Sequence, residues 1–171
     1  DQLDQGVSVG FAAINGGKQS LALDLKHPRG RELLADLMRQ SDVFIENFRP
    51  GAIARLGFSY DEVRALRPDI VYASISGFGQ EGEWARRPAY DHVVQSAMGM
   101  GWMQGEEGQD PLKVGFPVID SASGLVAAQA ILALGDGLHV YVCGSGSPMR
   151  SRPSPGSGRG PAWRSSGRCR W

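Results

Sequence analysis

At 171 residues, with 42% hydrophobic and 21% charged side chains, the chain has the size and composition of one soluble domain with its own core. No apolar run approaches the roughly 20 residues that cross a bilayer, and no basic-then-apolar export signal opens the chain. The two cysteines, Cys143 and Cys169, imply neither a disulfide framework nor a zinc site, so a cytoplasmic protein with no bound metal is expected.

In chain order, "SLALDL" at 20–25 alternates like a half-buried strand. Pro28 then opens "PRGRELLADLMRQ", where Leu33, Leu34, Leu37 and Met38 recur at helical spacing behind a first-turn proline. "DVFIEN" at 42–47 predicts a second strand, which breaks at the polar elbow Asn47-Phe48-Arg49-Pro50-Gly51. After two short helical turns, Ser59 and Glu62 form a capping box ahead of "EVRALR", and Pro68 ends that helix. "DIVYASIS" at 69–76 predicts a third strand, followed by Gly77-Phe78-Gly79. Strand, helix, strand, helix, strand is the rhythm of a parallel sheet with helical crossovers, an α/β fold of Rossmann-like type. Ligands of such sheets sit beyond the carboxyl ends of the strands, where the Asn47 elbow and the glycine turn both fall.

The formal net charge of zero hides an asymmetry. Residues 1–135 carry 12 basic and 17 acidic side chains, whereas residues 136–171 carry six Arg and one Asp. The closing stretch "GSGSPMRSRPSPGSGRGPAWRSSGRCRW" has almost no aliphatic residue and no Lys. Such a composition cannot bury enough apolar surface to offset chain entropy, so 136–171 is expected to be a disordered tail, with a break near Gly135. Repeated RGG or RS units are absent, which argues against a nucleic-acid arm. The Arg, Gly, Pro and Ser surplus fits an out-of-frame translation of a GC-rich gene better than a native tail.

Candidate chemistry lies between these regions. "LKVGFPVID" reads as a short apolar strand-like run that ends at Asp120, ahead of the apolar helix "SASGLVAAQAILAL". From spacing alone Asp120 is either an N-cap or an ionised carboxylate poised as a nucleophile. Asp91 in "AYDHVVQ" also precedes a helix and reads as a cap, and His92 reads as a surface imidazole. No Gly-x-Ser-x-Gly elbow is present, and the Gly77-Phe78-Gly79-Gln80-Glu81-Gly82 run follows a strand without opening a helix, so neither the common serine-hydrolase nor the dinucleotide pattern is met.

Three stretches carry a resemblance: "NGGKQSLALDLKHPRGRELL", "SDVFIENFRPGAIARLGFSYDEVRALRPDIVYASISGFGQEGEWARRPAYD" and "VGFPVIDSASGLVAAQAILAL". Taken in order from Asn15 to Leu134, the chain resembles the family III CoA-transferases of the CaiB/BaiF and formyl-CoA transferase type. The resemblance implies an enzyme that moves coenzyme A between an acyl-CoA thioester and a carboxylic acid. The intermediates are an aspartyl anhydride and an aspartyl-CoA thioester, and CoA is a co-substrate, not a permanent cofactor. It makes Asp120 the nucleophile, with Ile119 where the family commonly has Gly. It also assigns Leu23, Lys26, Asn47, Phe48 and Arg55 to the CoA nucleotide site. Residues 1–135 become an incomplete large domain of a family whose subunits interlock as homodimers. The chain opens at Asp1 without Met and is expected to be a fragment, truncated at both ends and inactive by itself, with neither nucleic-acid nor membrane partners.

Two rival readings remain, a racemase-like isomerase and a CoA-binding remnant without catalysis. The racemase branch implied by the resemblance has a His where this chain has Tyr90, a weak base with an ordinary pKa of about 10. His92 lies one residue beyond Asp91 and is expected to point elsewhere.

Overall fold

The computed structural model describes residues 3–4, 6–134, 139–143 and 151–152. The short strands β1 (Leu3–Asp4) and β2 (Val7–Ser8) form an antiparallel ribbon. Helix α1 (Val9–Ile14) follows, with the Ser8 hydroxyl accepting the Phe11 N–H at 3.1 Å. Next come α2 (Pro28–Arg39), β3 (Val43–Glu46), α3 (Ala52–Arg55), α4 (Tyr60–Leu66) and β4 (Val71–Ser76). The chain continues through α5 (Asp91–Ala97), α6 (Met100–Gln104), α7 (Val118–Leu134), β5 (His139–Cys143) and β6 (Ser151–Arg152).

A four-stranded sheet in the order β3-β4-β5-β6 organises these elements. β3, β4 and β5 run parallel, with Val43 opposite Val71 and Tyr72 opposite His139, and β6 closes the edge antiparallel. Strand alternation sends side chains to two cores. On one face, Tyr72 joins Met38, Ile53, Phe58, Val63 and Ile70 under α2, α3 and α4. On the other face, Val71, Ala73 and Val142 pack against Ala127 and Ala130 of α7. Each large side chain so buried contributes about 1.5–3 kcal/mol, and the result is a mixed helix and sheet layering around parallel strands. Among the described residues no helix is long and apolar enough to cross a membrane.

The expected α2, β3, α4 and β4 form, and the Ser59–Glu62 capping box is complete. Four expectations are corrected. "SLALDL" is irregular chain, because alternation without a partner ladder makes no strand. It ends in a turn where the Asp24 carboxylate accepts the Lys26 N–H at 2.9 Å. The strand-like run before Asp120 is also not a strand: Pro117 lacks an N–H, and Leu112 and Val114 donate instead to the Gly101 carbonyl and the Gln95 side chain. Asp120 itself is inside α7 and not at its cap. Finally, the segment 136–171 was expected to be without structure, yet His139–Cys143 and Ser151–Arg152 pair into the sheet. "HVYVC" is the one β-branched and aromatic run there, and Val142 is buried on α7 while His139 stacks on Tyr60. The remainder of that segment lies outside the described residues.

Candidate active site

Because β3 and β4 are parallel neighbours, the turns that leave their carboxyl ends lie side by side. Buried Glu46 ends β3, and its carboxylate accepts the Phe48 N–H at 2.8 Å, which bends the chain out of the strand immediately. The Ala52 N–H then reaches the Arg49 carbonyl at 2.9 Å, closing a turn in which Gly51 takes a φ of 77°, a conformation that favours glycine. Arg55 folds back toward this turn, its Nη1 lying 3.4 Å from where a Cβ on Gly51 would sit.

The β4 turn approaches another segment still more closely. A Cβ on Gly77 would fall 2.0 Å from the Ala89 Cβ, so only glycine allows the contact. Buried Phe78 meets Trp84 edge-on at 5.4 Å, and the Arg87 guanidinium lies over the Trp84 ring at 4.4 Å. Between these turns and α7 runs a cleft of about 250 Å³ bordered by Asn47, Gly77, Tyr90, Ile119, Asp120 and Ser123. It adjoins a second chamber of about 160 Å³ that shares Asn47, Gly77 and Tyr90 and extends to Phe48, Arg49 and Arg87. The site therefore joins a carboxylate at one end to two guanidinium groups and an aromatic ring at the other.

Helical spacing explains where Asp120 points. Beyond its first turn, Ser123, Ala127, Ala130 and Ile131 are the less exposed positions of α7, and Ala127 and Ala130 touch the sheet. Asp120 lies on the same stripe, one turn before Ser123, so it overhangs the cleft beyond the strand ends. The residue before Val118 is Pro117, which has no side-chain acceptor to cap the helix. Asp91 of α5 takes that role from across the cleft: its Oδ2 accepts the N–H of Ile119 at 2.8 Å and of Asp120 at 3.0 Å. Gln95, four residues further along α5, donates to Asp91 Oδ1 and to the Phe116 carbonyl at 3.3 Å, and accepts the Val114 N–H at 3.0 Å. Partial burial of the Asp120 carboxyl and then the charge of Asp91 raise it above the usual carboxylate range, with His92 opposing. His92 is exposed and stacks beside Tyr90 at 6.4 Å, yet its charge reaches Asp120.

Asp120 and Asn47 border the first chamber, and Asn47 and Phe48 border the second. Leu23, Lys26 and Arg55 border neither chamber: Leu23 is half-buried and Lys26 exposed in the loop before α2. Asp91 is not the cap of its own helix, because Tyr90 occupies that position. Gln95 escaped the sequence reading altogether. Its signal was a polar side chain one turn after Asp91 on an otherwise apolar helix face. Among the described residues no cluster of three His, Cys, Asp or Glu side chains is placed to hold a metal ion.

Comparison with known proteins gives these features a lineage. The chain is 44% identical over 126 residues to a formyl-CoA:oxalate CoA-transferase of Streptomyces avermitilis, covering 74% of this chain and 31% of that protein. It is 39% identical over 137 residues to a succinate–glutarate CoA-transferase of Agrobacterium fabrum, covering 76% of this chain and 34% of the relative. The chain therefore spans about a third of the length of the curated relatives it matches. A crystal structure of a CaiB/BaiF family protein from Brucella suis superposes with a TM-score of 0.77 at 33% identity, covering 83% of this chain and 40% of that one. The family model described as CoA-transferase family III matches residues 1–135, and the chain belongs to that family.

Proposed function

We propose that this chain carries the nucleophile and part of the CoA cradle of an enzyme that transfers coenzyme A from an acyl-CoA to a carboxylic acid. The observation that carries this reading is Asp120 overhanging a cleft that continues to the Asn47–Arg49 elbow. The Asp120 carboxylate attacks the thioester carbonyl, forming a mixed anhydride and releasing CoA thiolate. The thiolate attacks the aspartyl carbonyl of that anhydride, leaving Asp120 as a CoA thioester and freeing the donor acid. An acceptor carboxylate then attacks the aspartyl thioester, forming a new anhydride and again releasing thiolate. The thiolate takes the acceptor's acyl group and restores the Asp120 carboxylate. Each step exchanges one activated acyl bond for another, so no external energy is needed; a serine ester would end the relay.

The opposite end of the cleft fits the other part of CoA. Arg49 and Arg87 offer planar, permanently charged donors to phosphate oxygens, and Phe48 offers a face on which an adenine can stack. Leu23, Lys26 and Arg55 complete this cradle only with help from loop or ligand rearrangement. The parallel sheet supports assignment of residues 1–135 to a Rossmann-like large domain whose sheet also takes in His139–Cys143. Trp102, Met103 and Leu132 are 70%, 81% and 86% exposed, which fits surfaces covered by further chain and by the second subunit of a homodimer. Turnover therefore belongs to a larger assembly, and these 171 residues alone are expected to give none.

A chimaera tests the proposal: the 126 matching residues replace their counterparts in the Streptomyces avermitilis relative. A folded chimaera should transfer CoA, and Asp120→Ala should reduce transfer to background. Retained transfer in that variant would refute the nucleophile, and solvent deuterium uptake at the α-carbon without transfer would favour the isomerase.

A further inference from the structure

An aspartate in the first turn of a helix normally folds back onto the free N–H groups there, and these lower its pKa and weaken it as a nucleophile. Asp120 has that position, the third residue of α7. It does not take those donors, because the Asp91 carboxylate already holds the N–H groups of Ile119 and Asp120 at 2.8 and 3.0 Å. Asp91 is only 9% exposed and Gln95 only 2%, so this acceptor is fixed in place and shielded from water. Gln95 sets its orientation by donating to Oδ1, which leaves Oδ2 for the helix.

We infer that Asp91 is a positioning residue that occupies the amino terminus of α7 in place of Asp120, so that the Asp120 carboxylate stays free of backbone donors and directed into the cleft. This rests on Asp120 being the nucleophile. The two carboxylates divide one helix terminus between them, one as the cap and the other as the reagent. Gln95 extends the clamp to Phe116 and Val114, which ties the whole approach to α7 to one face of α5. The ionisable groups bordering Asp120 are Asp91, His92 and Tyr90, all at the start of α5, whereas Asn47, Ser76 and Ser123 on the facing elements carry no charge.

The geometry makes Asp91 dispensable for contact with substrate and indispensable for the basicity of its neighbour. Asp91→Asn keeps an oxygen able to accept the two N–H groups but removes the charge. The Asp120 carboxyl should then titrate at lower pH than in the parent.

Carboxyl carbon NMR of the 171-residue chain, without any acyl-CoA, follows the Asp120 titration. In Asp91→Ala the N–H groups of Ile119 and Asp120 lose their acceptor and become open to the Asp120 carboxylate. The Asp120 midpoint should therefore fall further in Asp91→Ala than in Asp91→Asn, which removes the same charge and keeps the cap. An Asp120 midpoint no lower in a folded Asp91→Ala chain than in Asp91→Asn overturns the inference. So does an Ile119 amide proton in the parent that moves with the Asp120 carboxyl as a hydrogen-bond donor to it would, a result that needs no variant to fold. Because no acyl group is involved, these outcomes are separate from whether Asp120 reacts. Asp120 can prove inert while the titrations behave as stated, or can take an acyl group while they do not.

Discussion

Gly77 and Ala89 touch so closely that a methyl group on Gly77 would lie 2.0 Å from the Ala89 Cβ. This contact sets the floor of the cleft, because it presses the segment before α5 onto the end of β4 and brings Tyr90 and Asp91 to face α7.

Gly77→Ala is therefore expected to destabilise the chain by about 1–3 kcal/mol through overpacking. Gly124 provides the contrast, since a Cβ there meets nothing within 4 Å inside α7. Gly124→Ala should stabilise the helix by about 0.5–1 kcal/mol. Urea unfolding of both variants checks the pair, and equal effects of the two substitutions would contradict this account of the cleft floor.

Glu62 and Ser59 close the start of α4 reciprocally: Ser59 donates its backbone N–H to Glu62 at 2.8 Å, and Glu62 donates its own to the Ser59 hydroxyl at 3.4 Å. Ser59→Ala should cost about 0.5–2 kcal/mol. The Ser59 hydroxyl first, and its backbone N–H second, hold the Glu62 carboxyl below its usual value, against a small opposing effect of burial. A lowered folded value stabilises above the ordinary pKa of glutamate and is lost as the pH falls through the folded one. The deficit of Glu62→Gln should accordingly be present at neutral pH and disappear in acid, as unfolding midpoints across a pH series will show.

Asp120 has the opposite sign. Burial and Asp91 raise its carboxyl, so the folded chain binds that proton more tightly than the unfolded chain does. The ionised form then costs stability at neutral pH, and the cost vanishes below the unfolded pKa of about 4. Asp120→Asn should be more stable than the parent at pH 7, with the difference closing as the pH falls below about 4. Denaturation at the two pH values decides it; a variant that is less stable at pH 7 would mean that Asp120 is a structural cap after all.

The elbow offers a binding test. Asn47 borders both chambers and Phe48 borders the second. Phe48→Ala in the chimaera should weaken CoA binding about tenfold, roughly 1.4 kcal/mol, with little change in the unfolding midpoint because the ring is 45% exposed. Unaltered affinity by calorimetry would remove Phe48 from the nucleotide site.

Local signals were legible where the chain satisfies itself. The first-turn Pro28, the Ser59–Glu62 box and the alternation of 69–76 all name their elements because cap, period and strand are set by neighbours in sequence. "SLALDL" misled because a strand also requires a partner, which alternation does not supply. Asp120 was visible as a carboxylate near a helix start, but the identity of its cap was not. Asp91 lies 29 residues away and reaches α7 only because Gly77 admits Ala89. Gln95 and Glu46 were missed for the same reason: their importance lies in which backbone groups they meet, and composition does not encode that.

The most direct measurement is mass spectrometry of the chimaera, quenched in acid during turnover and digested to peptides. The account predicts coenzyme A in thioester linkage on the peptide containing Asp120, absent when the acyl-CoA is omitted. Turnover with that peptide unmodified, or with CoA attached to a different residue, would contradict it.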